Sequence, residues 1–593
     1  MEEIIFNPIK DKNPRGTLKK GETITFTFRI KQDLEIDKII LVLRHEASNY
    51  THYLKLELSE FEINYNVYKT SVELDVSGLY WYHFEIYQDE DIVKVNKGND
   101  YKGVLGENEE FPLTVIDKEI PFIKEGLGGI IYQIFVDRFN KTCEPDVRPG
   151  FVYRDDWGGV ITKNTTDRAA LNYEVFGGTL DGVTEKLDYL KDLGVSIIYL
   201  CPVFLAPSNH KYDTSDYMQV DPMFGGQEAL EKLIKEAKKR NMGVILDGVF
   251  NHIGSDSIYF NKYNNFPTIG AYNSKDSKYY DWFKFYDWPD GYDCWWGIDT
   301  LPDVNQENKE LQEYIANVLK HYIDMGILGY RLDVVDEIGH NYLTKICDSI
   351  RENKKDALII GEVWEDASTK IAYGRRRGYF LGHELNSVMN YPLREALLNF
   401  IIHNNANHFY YVYQMIEDNY PEFVKHNLMN LIDSHDTRRI LSVLEEDNHV
   451  LEKLKIITAL QYGFYGNPSI FYGDEVGIRE DPPDFSRKCF PWGNENQEIL
   501  EWYKFLGELR KREVFKSGKM DALKAEDGKV VATIYCGDAF FAENEEEVTR
   551  KVIGMTKKIN PDVVICGPAF NYKGYASMSA KLAKAIEENT EMI

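Results

Sequence analysis

The segment 329-GYRLDVVDE-337 places two charged residues inside an otherwise apolar run. Arg331 and Asp333 are two residues apart, and residues with that spacing in a β-strand point to the same face. A guanidinium beside a carboxylate favours the ionised carboxylate and lowers its pKa. The pattern therefore predicts a carboxylate that stays charged at the end of a buried strand, as a nucleophile requires.

Polar residues suited to acid–base chemistry also follow three other candidate strands: Asp247, Asn251, His252, Glu362, His435 and Asp436. Any one of these residues alone is better explained as a helix cap or a structural ion pair. Their recurrence on successive strands favours one shared mouth, because a barrel enzyme carries its chemistry where strands end and loops begin.

Two carboxylates that face each other across a sugar can cleave a glycosidic bond, one as an ionised nucleophile and the other as a protonated acid. Asp333 suits the first role. Glu362 ends the apolar run 358-LIIGEVW-364, where apolar surroundings would keep an acid protonated. Asp436 would stabilise a positively charged transition state.

The elements that would position these residues alternate between strand and helix. Eight apolar segments have strand character: 130–139, 196–203, 243–250, 329–335, 358–364, 387–391, 428–433 and 469–475. Helical periodicity lies between most of them, for example at 311–323, so the pattern predicts an α/β fold with a (β/α)8 TIM barrel over residues 123–522. The long aromatic stretch 252–305 is interpreted as an inserted lobe.

Residues 1–122 show a different pattern, with apolar residues alternating every second position in 23-TITFTFRI-30 and 79-LYWYHFEIY-87. Polar turns separate such runs, and no helical period is evident. This pattern predicts an N-terminal immunoglobulin-like β-sandwich.

Composition narrows the partners. The 593 residues include 69 Lys and Arg against 96 Asp and Glu, a net charge of −27, which argues against nucleic acid or an anionic membrane as partner. The N-terminus lacks a signal-peptide pattern, and no apolar run approaches the about 18 residues of a membrane span. Seven scattered cysteines without CxxC spacing are typical of reduced thiols, so we expect a cytoplasmic protein.

Four of these segments together resemble the signature regions of the α-amylase family of glycoside hydrolases, in the right order: 247-DGVFNH-252, 329-GYRLDVVDE-337, 361-GEVWED-366 and 431-LIDSHD-436. The resemblance extends over about residues 1–522. It is strongest to the neopullulanase and cyclomaltodextrinase branch, whose members carry an N-terminal sandwich.

The resemblance implies roles for the matching residues. Asp333 would form a covalent glucosyl intermediate, Glu362 would act as general acid and then base, and Asp436 would stabilise the transition state. Residues that would bind substrate are Arg331, His252, His435, His210, Tyr212, Trp364, Asp336 and Glu337. Retaining geometry places the two reacting carboxyls about 5–5.5 Å apart. The resemblance also implies a homodimer formed through the N-terminal domain.

Three departures from the branch leave the substrate open. The fifth signature region reads 301-LPDVN-305, and 334-VVDE-337 replaces Val-Ala-Asn-Glu. Because of these changes, the sequence does not decide whether the enzyme prefers α-1,4 or α-1,6 glucosidic bonds. The segment 140-NKTCEPDVRPG-150 is a degraded form of the calcium-binding loop of many relatives. Asp146 and Asp155 could bind Ca²⁺, but the favoured interpretation is that they are solvated loop charges. No cofactor is expected to be required.

The last segment, 523–593, does not continue as the expected C-terminal sandwich. A strand at 530–536, a helix with Val548, Val552, Met555 and Ile559 on one stripe, and a strand at 562–570 give a short βαβα tail. It resembles a fragment of component B of glycine, sarcosine and betaine reductases, without the redox motif of that protein. The favoured interpretation is that this tail comes from a fused or rearranged gene. The alternative is that it acts as a sensing module.

The sequence thus predicts a retaining hydrolase of α-glucans: maltodextrins, cyclodextrins or pullulan. Two other classes stay open. One is an inactive or purely glucan-binding barrel that has lost its C-terminal sandwich. The other is a reductase subunit, which rests on the tail alone.

Overall fold

The chain divides into two compact units, residues 1–520 and 521–593. The computed structural model describes residues 3–106, 108–121, 123, 128–160, 172–445, 449–480, 486–512, 515, 545–559 and 581–586. Among these residues no helix is long and apolar enough to cross a membrane.

The N-terminal part of the first unit consists of two β-sheets. Their strands are β1 (Ile4–Ile5), β2 (Lys12–Asn13), β3 (Leu18–Lys19), β4 (Thr23–Lys31), β5 (Lys38–His45), β6 (Thr51–Lys55), β7 (Glu57–Glu62), β8 (Tyr65–Glu73), β9 (Gly78–Gln88), β10 (Asp91–Lys97), β11 (Gly103–Leu105) and β12 (Phe111–Ile116). One sheet joins β1, β2, β4, β8 and β7, and the other joins β3, β5, β6 and β9 to β12.

The alternating residues of β4 and β9 form the core between these sheets. Phe26 and Phe28 are fully buried and pack against Tyr82 and Phe84, with ring centroids 5.1 and 4.8 Å apart for the pairs Phe26–Tyr82 and Phe28–Phe84. The predicted sandwich is therefore confirmed. One short helix, α1 (Pro8–Asp11), was not predicted, because four residues are too few to show a helical period.

Eight parallel strands form the second part of the first unit: β13 (Ile130–Ile134), β16 (Val195–Leu200), β19 (Gly243–Gly248), β22 (Gly329–Leu332), β23 (Leu358–Gly361), β26 (Ser387–Val388), β27 (Met429–Asn430) and β28 (Asn467–Phe471). Each lies within a predicted strand or extends it by one or two residues. The sheet order is β26-β23-β22-β19-β16-β13-β28-β27, and a parallel bridge between Met389 and Met429 joins its two edges. The predicted (β/α)8 barrel is confirmed.

Helices connect most of these strands. Their bounds in the first unit are α2 (Leu180–Glu185), α3 (Leu187–Asp192), α4 (Gly226–Lys239), α5 (Lys309–Met325), α6 (His340–Asn353), α7 (Tyr391–His403), α8 (Ala406–Asn419), α9 (Glu422–Lys425), α10 (Ile440–Leu444), α11 (Val450–Gly463) and α12 (Gln497–Arg510). No helix lies between β23 and β26, a stretch that the structure describes completely. A hairpin of β24 (Ile371–Ala372) and β25 (Arg375–Arg376) takes its place.

Helix α5 illustrates why these segments fold as predicted. The Asn308 side chain accepts a hydrogen bond from the Leu311 amide at 2.8 Å and caps the first turn. Gly326 ends the helix at φ +109°, a conformation that costs glycine little. The predicted apolar stripe, which includes Leu311, Ile315 and Val318, is buried.

Short elements fill the loops above the barrel: β14 (Val152–Tyr153), β15 (Glu174–Val175), β17 (Phe204–Leu205), β18 (Asp216–Val220), β20 (Phe285–Asp287) and β21 (Gly291–Tyr292). The stretch 252–305 contains β20 and β21 and is held together by aromatic packing. Phe260 contacts Phe283 and Tyr292, each with ring centroids 4.8 Å away. We refer to this stretch as the aromatic lobe.

Buried ion pairs join the N-terminal segment to helix α8. Nζ of Lys12 lies 2.6 Å from Oδ1 of Asp418, and neither side chain is exposed to solvent. The Asn7 amide donates to Oε1 of Gln414 at 3.2 Å, and Arg15 pairs with the buried Glu417 at 2.9 Å. The sandwich and the barrel therefore share a desolvated polar interface, in which each charge depends on its partner.

In the second unit the structure describes helix α13 (Glu545–Ile559) and a helical segment at 581–586. Val548 and Val552 are buried, as the predicted stripe requires. Lys581 pairs with Glu545 at 2.6 Å, which links the two helical segments. The strands predicted at 530–536 and 562–570 lie outside the described residues.

Candidate active site

The barrel register brings Asp247 and Arg331 side by side. They are directly paired residues on neighbouring strands β19 and β22, so their side chains point the same way into the mouth of the barrel. Nη1 of Arg331 lies 2.9 Å from Oδ1 of Asp247, and both side chains are fully buried. This pair anchors the guanidinium beneath the residues that follow the strands.

Arg331 forms ion pairs with three carboxylates. Its Nη1 also lies 2.6 Å from Oδ1 of Asp333, and its Nη2 lies 2.9 Å from Oε2 of Glu362. Burial raises the pKa of Asp333 well above its usual range; Arg331 opposes this rise, while the charges of Glu362 and Asp247 add to it. Burial therefore outweighs the lowering of the Asp333 pKa that was predicted from Arg331 alone.

One guanidinium therefore lies between the carboxyls of Asp333 and Glu362 and holds both at the mouth of the barrel. Glycosidic cleavage uses two carboxyls that lie close together, one as nucleophile or base and the other as acid, and this arrangement supplies such a pair.

The residue after Asp333 is held in an uncommon backbone conformation. Val334 has φ +39° and ψ +50°, in the left-handed region that β-branched residues avoid. Its amide donates a 2.8 Å hydrogen bond to Oε2 of Glu362. The Trp364 indole donates to the other oxygen of Glu362 at 3.1 Å, so both oxygens of this carboxyl are fixed.

A chain of hydrogen bonds leads from Asp247 to Asp436. The Tyr212 hydroxyl donates to Oδ2 of Asp247 at 2.9 Å and meets Nε2 of His435 at 2.5 Å. Nε2 of His435 also lies 2.9 Å from Oδ2 of Asp436, and its Nδ1 is hydrogen-bonded to the Gln133 side-chain amide at 2.7 Å. The Tyr212 and His435 rings stack with centroids 5.3 Å apart and planes parallel within 2°, so His435 supports the ring that Tyr212 presents to the cavity.

Asp436 has electrostatic surroundings opposite to those of Asp333. Burial alone would raise its pKa, but the adjoining His435 and the guanidiniums of Arg487 and Arg331 lower the pKa far below its usual range. Asp436 is therefore a permanent negative charge on the cavity wall, suited to stabilising a cationic transition state.

Two histidines of the predicted set are held neutral. Burial lowers the pKa of the His252 imidazole to about 4. Burial, together with Arg487 and Lys211, lowers the pKa of His210 to about 3. His252 also stacks on Trp295 with ring centroids 5.2 Å apart. At neutral pH both rings offer hydrogen bonds without positive charge.

Most of these side chains surround one cavity of about 1380 Å³. Of the predicted site residues, the structure brings the following to its wall: His210, Tyr212, His252, Asp333, Asp336, Glu337, Glu362, Trp364 and Asp436. Arg331 and His435 lie directly behind this wall. Asp336 is bound by Lys370 at 3.0 Å and by the Tyr379 hydroxyl at 2.5 Å, so its charge is compensated.

Several lining residues were missed from the sequence: Arg148, Phe151, Trp295, Trp296, Lys370, Tyr373 and Arg487. They lie on loops, where no periodicity or motif marks them. The aromatic richness of the lobe that carries Trp295 and Trp296 was the one usable signal.

The proposed calcium ligands do not form a cluster. Asp146 and Asp155 are both exposed. Within the part of the chain that the structure describes, no group of three or more His, Cys, Asp or Glu side chains is arranged to hold a metal ion.

Comparison with known protein families gives two matches along the chain. Residues 133–516 match the alpha amylase catalytic domain, and residues 504–593 match glycine/sarcosine/betaine reductase selenoprotein B. The second match begins within helix α12, so the two matched ranges overlap at the end of the barrel.

Individual relatives agree with the first match. An amylopullulanase of Thermoanaerobacterium saccharolyticum is 34% identical over 87% of this chain, which spans 45% of that longer protein. A cyclomaltodextrinase of Thermoanaerobacter pseudethanolicus is 33% identical over 78% of both chains. Among solved structures, the type III pullulan hydrolase from Thermococcus kodakarensis superposes with a TM-score of 0.62 at 29% identity, covering 88% of this chain and 90% of that one.

Proposed function

Since the chain belongs to the α-amylase family of glycoside hydrolases, we propose that it hydrolyses α-glucosidic bonds in maltodextrins, cyclodextrins or pullulan with retention of configuration. The observation that carries this proposal is the bridging of Asp333 and Glu362 by one guanidinium, at 2.6 and 2.9 Å. Retaining cleavage needs such a pair, one carboxyl ionised and the other protonated.

In the first step a carboxylate oxygen of Asp333 bonds to the anomeric carbon. The bond from that carbon to the leaving oxygen breaks, and Glu362 gives its proton to that oxygen. In the second step water attacks the anomeric carbon, Glu362 takes up a proton from the water, and the bond to Asp333 breaks. Both steps pass through an oxocarbenium-like state next to the permanent charge of Asp436.

The surrounding residues bind the sugar. Tyr212 presents its ring to the sugar at the point of cleavage, and the neutral His210 and His252 hydrogen-bond its hydroxyls. His435 holds Tyr212 and Asp436 in place from behind the cavity wall. The known relatives include enzymes named for pullulan, cyclic maltodextrins and maltogenic cleavage, and this range supports α-1,4 cleavage with α-1,6 cleavage open. We further propose that it acts without a redox cofactor. A cytoplasmic location is likewise proposed, in line with a relative described as an intracellular maltogenic amylase of Bacillus subtilis.

The test is release of reducing sugar from β-cyclodextrin, pullulan and soluble starch by the full-length chain, with the Asp333→Asn variant as blank. We expect release that disappears in the variant, and the three rates rank the substrates. A folded chain that binds these glucans but releases no sugar would instead establish the alternative, an inactive glucan-binding barrel.

A further inference from the structure

The connection between β23 and β26 forms part of the cavity wall without a helix to support it. Residues 362–386 are described in full, and their only regular element is the hairpin of β24 and β25. Several residues of this connection line the cavity: Glu362, Trp364, Lys370, Ile371 and Ala372. In a (β/α)8 barrel each strand is normally followed by a helix of the outer ring. Here another part of the chain must hold the wall in place.

The hairpin is too small to hold its conformation by itself. Its strands have two residues each, and an isolated two-stranded hairpin is at best marginally stable in water. Its turn adds a cost, because Tyr373 has φ +51°, in the left-handed region that residues other than glycine avoid. The conformation of the hairpin therefore depends on contacts with residues outside it.

The outer side of the hairpin is bound to the N-terminal sandwich. Arg376 of β25 makes a two-pronged ion pair with Glu46, the residue directly after β5. Its Nε lies 2.8 Å from Oε2 of Glu46, and its Nη2 lies 3.0 Å from Oε1. The same guanidinium lies 5.6 Å from the centroid of the Trp81 ring of β9. Two parallel hydrogen bonds fix the orientation of a guanidinium as well as its distance, so the sandwich holds this edge of the hairpin.

A second contact ties the end of the connection to the sandwich. The amide of Asp117, directly after β12, donates to the Leu381 carbonyl at 3.0 Å, and its carboxylate lies 3.0 Å from Nε2 of His383. Between these two residues Gly382 has φ +100°, and a Cβ atom there would lie 2.1 Å from the Lys118 carbonyl oxygen. The two backbones therefore approach so closely that only glycine fits. The sandwich thus contacts the connection at two separate points.

The inner side of the hairpin is bound to the turn that follows β22. Nη2 of Arg377 donates to the Val335 carbonyl at 3.1 Å, and the Arg377 amide donates to the Lys370 carbonyl at 2.9 Å. Arg376 is paired across the hairpin with Ile371, which lines the cavity. The hairpin therefore connects the sandwich to the cavity wall and to the loop that carries the proposed nucleophile.

We propose that Glu46 is a positioning residue for the reaction, because through Arg376 it holds the hairpin as a cavity wall on the side of Glu362. The N-terminal sandwich then supports the active site of its own chain, in place of a helix. A glucan of several units extends from the point of cleavage along this wall, whereas a single glucosyl unit does not. This inference rests on the proposed function, which assigns the substrate.

The position of the hairpin can be measured without any substrate. Hydrogen exchange of peptides that cover 370–377 would be compared in the full-length wild type, Glu46→Gln and the control Glu62→Gln. Glu62 accepts with both oxygens from Nε of Arg29 in the other sheet of the sandwich, and Arg29 and Arg376 are each 24% exposed.

We expect about fivefold faster exchange in this segment for Glu46→Gln and no change for the control, because only the first variant releases the hairpin. Unchanged exchange in Glu46→Gln would overturn the proposal. Equally faster exchange in both variants would overturn it as well, since it would show a general loss of stability in the sandwich.

Glucan binding is tested in the Asp333→Asn chain by calorimetric titration with maltohexaose. We expect Glu46→Gln to weaken binding about fivefold, equivalent to about 1 kcal/mol, and Glu62→Gln to bind like the parent. In a chain that also carries Arg376→Gln, Glu46→Gln should have no further effect, because the carboxylate acts through that guanidinium. Additive losses, equal binding by Glu46→Gln and the parent, or a parent that does not bind would each contradict the positioning role.

Failure of the positioning role and failure of the proposed function are distinguishable. Absence of sugar release by the wild-type chain would reject hydrolysis, while hydrogen exchange would still report on the hairpin. If hydrolysis occurs, we expect Glu46→Gln to raise KM for maltohexaose about fivefold with kcat nearly unchanged, and to leave kcat/KM for α-glucosyl fluoride unaltered. Equal losses on both substrates would contradict the proposal.

Discussion

The amide of Val334 donates a 2.8 Å hydrogen bond to Oε2 of Glu362, from a backbone that is held at φ +39°. The residue that follows one reacting carboxyl therefore orients the other. Because the donor is a main-chain group, the contact depends on the strained conformation of a β-branched residue and not on its side chain.

This relationship predicts an inverted preference between alanine and glycine at position 334. Glycine adopts a positive φ at little cost, whereas alanine keeps the strain. We expect Val334→Gly to be more stable than Val334→Ala by about 1 kcal/mol, measured as the free energy of unfolding in urea. An alanine variant that is the more stable of the two would show that φ at this position is not held positive.

Arg331 is predicted to be necessary for stability as well as for catalysis. Arg331→Met leaves the buried Asp247 without its positively charged partner, and breaking a buried ion pair costs about 3–5 kcal/mol. We expect a loss of that size in the free energy of unfolding, together with loss of sugar release. Asp247→Asn with Arg331→Met should recover part of the stability but none of the activity. A single variant with unchanged stability would contradict the shared-guanidinium arrangement.

The fold was predictable from sequence wherever local patterns are redundant. Apolar runs of strand length with helical stripes between them define the barrel, and alternation in 23–30 and 79–87 defines the sandwich. The absence of a helix between β23 and β26 could not be predicted in this way. A hairpin at 371–376 takes its place and is held by contacts between residues far apart in sequence, such as Lys370 with Asp336, which leave no local periodic pattern.

The site was predictable to the level of residue types at strand ends. Arg331 and Asp333 do share a face, as their spacing requires. That Arg331 also pairs with Asp247 and approaches Glu362 depends on the register between neighbouring strands, which a single sequence does not specify. For the same reason Trp296 and Tyr373 were missed, since loop conformation depends on tertiary contacts.

Acid pH is predicted to destabilise the protein through His252. Its pKa is lowered to about 4 in the fold, so between pH 6.5 and pH 4 the unfolded chain binds a proton that the folded chain does not. The contribution is fully present above pH 6.5 and declines as pH falls. From pH 6.5 to pH 5 the loss is about 2 kcal/mol. His252→Gln should lose correspondingly less on acidification, measured by urea unfolding at both pH values.

The exposed His403 supplies the control for this experiment. The pH dependence of His403→Gln is measured beside that of the wild type and of His252→Gln. A His252→Gln variant with the same dependence as the wild type would show that His252 is not held neutral.

Asp303 is predicted to make the protein less stable as pH rises, which is the opposite of the effect of His252. Burial, with the charges of Glu337 and Asp293, raises its pKa to about 6. The folded chain therefore holds a proton that the unfolded chain releases above its ordinary pKa, and the resulting stability is lost as pH rises from about 4 to about 6. Asp303→Asn keeps an acceptor for the 3.1 Å hydrogen bond from Asn251.

We expect Asp303→Asn to raise the thermal midpoint at pH 7 and to leave it nearly unchanged at pH 4. The comparison uses thermal unfolding of both proteins at the two pH values. A variant that is less stable at pH 7 would show that the charged form of Asp303 is favourable in the fold.

The interface between sandwich and barrel is predicted to contribute strongly to the free energy of unfolding. Lys12→Met leaves Asp418 buried without its partner, for which we expect a loss of about 3–5 kcal/mol in the free energy of unfolding. Lys19→Met is the matched control, because its ion pair with Glu119 is exposed and such pairs contribute about 0–1 kcal/mol. Equal effects of the two substitutions would contradict this assignment.

That interface has a consequence for how such proteins can be assembled from parts. Helix α8, which receives Lys12, Arg15 and Asn7, leads through α9 to β27, the strand before His435 and Asp436. A sandwich that lacks Lys12 and Arg15 would leave the buried Asp418 and Glu417 without these ion pairs. Replacement of the N-terminal domain by such a sandwich would therefore require matched changes in α8, so the N-terminal segment and this helix must be exchanged together.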